Sequence, residues 1–204
     1  MTYEFLWRTY ETERVKVLSV WSMFHNGDLD SRPHPSDLRG RSVQEQMVHQ
    51  CVSENLWFIN MLSVDVDAPP LPSRETRLEF IRRYAEDSAK RLGVLQDKAA
   101  SWWEEEVSFF GKQRSRAWVM VRRVAHTAHH RGQQTTLLRM LGRDLHSTYG
   151  PTADTGGLMQ AKAPTIYAYT TPEELLESEV AGGRKVALPG PGAAPVTERP
   201  VVEG

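Results

Sequence analysis

The stretch RSRAWVMVRRVAHTAHHRGQQTTLLRMLG, residues 114–142, decides how this chain is read. It carries apolar residues at helical spacing and ends on Gly142, which makes it one long helix with a C-terminal glycine cap. Three of the chain's seven histidines fall within five of its residues, in the run His126-Thr127-Ala128-His129-His130-Arg131-Gly132-Gln133. Residues four apart on a helix sit about 40° apart around the axis and about 6 Å apart along it. His126 and His130 can therefore aim their imidazoles at one point, which is how a helix chelates a transition metal. On a helical wheel Val119, Leu137 and Leu141 share their side, so the pair lies in the middle of the apolar, core-facing stripe. His129 turns to the flank, toward Trp118 and Thr136, and Gln133 is near enough to bond a ligand or a bound water.

Three further segments upstream carry helical patterning. The first covers residues 3–24 and is followed by a Gly/Asp/Pro-rich connection. The second opens on the capping box Ser42-Val43-Gln44-Glu45 and runs to Leu62. The third, rich in charge, covers residues 73–100. No alternating Val/Ile/Thr run and no Asn-Gly hairpin turn joining such runs is present, so no strands are expected. Four such helices in one small chain make an all-α four-helix bundle over residues 1–142. The second helix is apolar nearly all round, with Met47, Val48, Val52, Leu56, Trp57 and Phe58 on different faces. A helix of that kind is central or covered by another subunit, which points to a homodimer.

Two histidines on one helix are an incomplete metal site. His49, mid-helix in the second segment beside Ser53, Leu56 and Asn60, is the natural third ligand. Three imidazoles with an open fourth position are the donor set of catalytic zinc sites. The alternative is a chance His-x-x-x-His pair whose rings are hydrogen-bonded in the core. His25 and His34 read as surface residues and His146 as remote from the site.

The fourth segment, with His126-x-x-His129-His130-Arg131-Gly132-Gln133 followed by Leu137-Leu138-Arg139-Met140-Leu141-Gly142, resembles the DinB/YfiT-like metalloenzyme family, and His49 sits where that family's first ligand sits. The resemblance covers residues 1–142. It implies an up-down-down-up bundle, usually homodimeric, and a divalent ion, nickel or zinc, held by His49, His126 and His130. It implies thiol-dependent S-transferases using a low-molecular-weight thiol, or isomerases, acting on a small-molecule substrate. Many members of the family have no known activity. A metal-dependent transferase or hydrolase and a non-catalytic metal-binding or stress-response interaction module are both compatible with these residues.

Composition narrows the classes. The chain has 204 residues, 40% of them hydrophobic, enough for one domain with a core. A net charge of -1 gives no footprint for nucleic acid or an anionic membrane. One cysteine excludes an intrachain disulfide, and neither a signal peptide nor a membrane-length apolar run is seen, so the expected location is cytoplasmic. Residues 143–204 hold seven of the twelve prolines and eight of the fourteen glycines and read as a mostly irregular extension packing on the bundle. Thr171-Pro172-Glu173-Glu174 should start a short helix over residues 172–180, and the tail, residues 182–204, gains order only by docking.

Other residues have their own expectations. Arg131 points away from His126 and should pair with a carboxylate at a helix or subunit seam. Gly132, mid-helix, should mark a close approach of a neighbouring helix. Cys51 is a packed core thiol, and Trp102-Trp103-Glu104-Glu105-Glu106 a hydrophobic anchor with a solvated acidic turn. Residues 149–157 read first as a turn-rich linker. The alternative is a flap over the metal that offers Tyr149 or Asp154 for proton transfer.

Overall fold

The computed structural model describes residues 2–193 together with 196 and 197. Its frame is four long helices: α1 (Glu4–Met23), α2 (Val43–Leu62), α3 (Arg77–Gln96) and, after a short helix and a hairpin, α5 (Arg116–Met140). The start of α2 follows from its capping box: Ser42 Oγ accepts from Glu45 N at 3.2 Å, and Glu45 Oε2 accepts from Ser42 N at 2.7 Å. A cap of this kind stabilises a helix by about 1 kcal/mol. Gly142 closes the end of α5 with φ +65°, as its position in the sequence predicts.

Side-chain pairs fix the directions. Glu13 meets Arg131 and Trp21 meets Gln134, so α1 and α5 run parallel. Gln50 meets Gln134 while Ser53 meets Arg123, so α2 runs against α5. Arg14 meets Ser88 and Ser22 meets Arg77, so α3 runs against α1. The bundle is therefore up-down-down-up, with α1 and α2 each packed between α3 and α5.

Two apolar clusters fill the interior. One gathers Trp21, Phe24, Met47, Phe80, Tyr84 and Leu138; the other gathers Leu6, Phe58, Leu95, Trp103, Val119 and Met120. The seam joining them is polar. Glu54, fully buried, accepts from Tyr10 of one cluster at 2.5 Å and from Tyr84 of the other at 3.0 Å. Arg91 and Arg123, also buried, approach the same carboxylate at 3.3 and 3.6 Å. A buried charge must be paired and hydrogen-bonded to be tolerated, and this one is held from four directions.

The structure differs from the sequence reading at several places. The third helix ends at Gln96, and α4 (Ala100–Glu104) follows as a separate turn that buries Trp103 and leaves the acidic residues outside. Two strands then appear where none were expected: β1 (Glu106–Phe109) pairs antiparallel with β2 (Lys112–Ser115). Val107 and Phe109 alternate inward, but two apolar residues are too few to register as a periodicity. Among the described residues nothing lies within 4 Å of where a Cβ on Gly132 would stand, so no close helix approach explains it.

The extension docks on the bundle. Its short helix α6 (Pro172–Val180) has the expected bounds, and Ala168, Tyr169 and Leu175 belong to the first apolar cluster. Residues beyond α6 fold back: Lys185 pairs with Glu179 at 2.8 Å, and Gly190 N bonds Asp154 O at 3.0 Å. The remainder of the tail, residues 194, 195 and 198–204, lies outside the described residues. Among the described residues, no helix is long and apolar enough to cross a membrane.

Candidate metal centre

His49, His126 and His130 come together at the antiparallel seam of α2 and α5. One ring nitrogen from each lies within 4.8 Å of the other two. The Nε2 atoms of His126 and His130 face each other at 3.3 Å. A tetrahedral ion with bonds of about 2.0–2.1 Å holds its ligand nitrogens about 3.3 Å apart, so this pair already has the required spacing. His130 is 2% exposed, while His126 and His49 are half-buried, so the trio has one side toward solvent.

Protonation suits a cation. Burial is the main cause that lowers all three imidazoles. His130 is pushed down to about 3, with the neighbouring imidazoles adding to the effect. His126 is pushed down to about 4, where the Arg123 charge is the second cause. His49 is lowered too, by burial and then by Arg41 and Arg123. Neutral rings offer lone pairs.

Tautomers follow from partners. His130 Nδ1 lies 3.3 Å from Gln133 Oε1, an atom that can only accept, so Nδ1 carries the proton and Nε2 keeps its lone pair. The Gln133 amide in turn donates to His129 Nε2 at 3.0 Å. His126 Nδ1 is buried without a partner. The facing Nε2 atoms at 3.3 Å, with a ring nitrogen of His49 within 4.8 Å of both ligand atoms, form a three-imidazole donor set that a divalent ion fits. The ring of Trp57 lies against His126, with centroids 5.5 Å apart and planes at 17°, and holds its orientation.

A cleft of about 640 Å³ opens beside the trio. His49 and Ser53 line it together with Val48, Val52 and Leu56 of α2, and Glu45 and Glu75 stand at its edge. Val52 and Leu56 are 43% and 50% exposed, so this face of α2 is not covered by the described residues.

The remaining sequence candidates lie elsewhere. His129 is on the exposed flank, and His25 and His34 are on the surface. His146 is buried with Nε2 on Val186 O at 2.8 Å. Arg131 pairs with Glu13 at 2.5 Å, as expected of a seam residue, and also bonds Tyr149. Asp154 accepts from Arg139 at 2.5 Å and from Leu145 N at 2.6 Å. Tyr149 and Asp154 thus anchor the extension to the bundle through Arg131 and Arg139. Cys51 is buried, and burial pushes its thiol up to about 12, in keeping with an inert core residue. Trp57 and Arg123 were not legible as neighbours of the trio, because ring stacking and charge proximity depend on rotamers that helical spacing does not encode.

Comparison with known proteins bears on the family and the fold. A family model described as the DinB family matches residues 9–161. No curated protein matches the chain. The crystal structure of a DinB-like protein from Bacillus cereus ATCC 10987 superposes with a TM-score of 0.64 at 15% identity, covering 72% of this chain and 97% of that one. A DinB-like protein from Bacillus subtilis superposes with a TM-score of 0.56 at 11% identity, covering 69% of this chain and 94% of that one. At such identities the likeness speaks for the fold alone. The family match spans more than half of the sequence, from within α1 to past the end of α5, and on that ground the chain belongs to the DinB family.

Proposed function

We propose that His49, His126 and His130 hold one divalent transition ion, nickel or zinc, and that the protein is a metal-dependent enzyme of the thiol S-transferase kind. The observation that carries this reading is the convergence of three neutral ring nitrogens beside an open cleft. The bound ion supplies a Lewis acid that lowers the pKa of a coordinated water or thiol. The chain's own groups prepare that chemistry. Gln133 keeps the proton on His130 Nδ1, so that Nε2 is available. Trp57 fixes the plane of His126. Val48, Val52 and Leu56 give the cleft an apolar wall that favours the organic part of a substrate over water.

The test is a turnover screen of nickel- and zinc-loaded protein with low-molecular-weight thiols and organic electrophiles. Thioether formation that disappears in His126→Ala supports the transferase reading. A loaded protein that binds its ion and turns over no thiol–electrophile pair contradicts it and leaves a metal-binding module.

A further inference from the structure

Phe110 occupies the first position of the two-residue turn that joins β1 to β2, with φ +47°, and Gly111 follows at φ +75°. Two positive φ values define the mirror-image turn that matches the twist of paired strands. Asn, Asp or Gly normally fills its first position, because a bulky side chain is strained there. Phe110 is also 75% exposed. Asn at this site would satisfy the turn better and leave no apolar ring in water, so the needs of the fold do not account for phenylalanine.

Its neighbours do. The Phe110 ring stands 4.8 Å from that of Phe109 and 6.4 Å from that of Trp57. Trp57 is the ring that lies parallel to His126. The hairpin tip is therefore one aromatic ring away from the candidate metal ligands. Val52 and Leu56, exposed on α2, line the cleft together with His49.

We propose that Phe110 and Trp57 form an aromatic wall through which this centre selects small molecules bearing a flat aryl group behind a metal-binding head. The inference rests on the metal reading above. The head would bind an ion held by the three imidazoles, and the aryl body would meet Trp57 and Phe110 in offset or edge-on packing. The paired strands place the backbone of the Phe110 turn beside Trp57, which shortens the search for the bound arrangement.

Calorimetry on nickel-loaded protein tests this with benzohydroxamate and acetohydroxamate, which share a chelating head and differ in the aryl group. The wild type should prefer benzohydroxamate by about tenfold, the range expected for one buried ring. Phe110→Asn suits the turn and removes the ring. It should cut the preference by about fivefold, with nickel uptake unchanged and the melting temperature equal or higher. Phe110→Tyr should keep the preference. Equal affinities for the two probes, or a full preference in Phe110→Asn, overturn the proposal. So does sedimentation in which Phe110→Asn splits a dimer, since the ring then serves a second copy of the chain. Failure to take up nickel removes the metal reading and this one together, whereas nickel uptake with equal probe affinities removes only the aryl preference.

Discussion

At the residue scale, Gln133 ties the helix surface to the site. It lies one turn beyond His130 on α5, accepts from His130 Nδ1 and donates to His129 Nε2. Outer partners of this kind typically change metal affinity by about 10–100-fold, so Gln133→Ala should weaken nickel binding by about tenfold with the far-ultraviolet circular dichroism unchanged. Competition against a chromophoric chelator measures it, and unchanged affinity would show that the amide does not set the tautomer. His126→Ala should abolish stoichiometric nickel while helicity stays, because the half-buried ring is not part of either apolar cluster. The three histidines were legible in the sequence because four-residue spacing alone places two of them together. Of their partners Gln133 was legible from the same spacing, while the stacking of Trp57 was not, since it depends on rotamers that spacing does not encode.

At the scale of elements, the polar seam joins α1, α2, α3 and α5 through one carboxylate. Glu54→Ala leaves Arg91 and Arg123 buried without it and should cost about 3–5 kcal/mol in urea denaturation, the range for a broken buried pair. A loss under about 1 kcal/mol would mean that water reaches the seam and that the charges are screened there. This seam was invisible in the sequence. Nothing in helical spacing marks Arg91 and Arg123 as interior; the packing of α1, α3 and α5 around Glu54 makes them so. The bounds of α2 and α6 were legible because each has a side-chain cap in its own sequence, Ser42 with Glu45 and Thr171 with Glu174. The hairpin escaped notice because its tip is Phe110-Gly111 and its strands have four residues each.

At the scale of the whole molecule, the extension is part of the stable body. Leu175 is fully buried in the first apolar cluster, so Leu175→Ala should cost about 2–5 kcal/mol in the same denaturation assay. A loss near zero would mean that the extension undocks freely from the bundle. The histidine trio makes the metal-free protein sensitive to acid. Folded His126 and His130 titrate near 4 and 3, below the ordinary 6.5 of the unfolded chain. Between those values the unfolded state binds more protons, so stability is full above pH 6.5 and declines as the pH falls toward 4. Melting curves across that window should flatten in the double variant His126→Gln, His130→Gln. Equal slopes in variant and wild type would assign the acid sensitivity to other groups. The most direct test of the shared ion is X-ray absorption of the zinc-loaded, untagged protein. Three imidazole nitrogens at about 2.0–2.1 Å from one zinc per chain are predicted, with the imidazole count falling in His49→Ala. A zinc shell of oxygen ligands, or one unchanged by that substitution, would contradict the account.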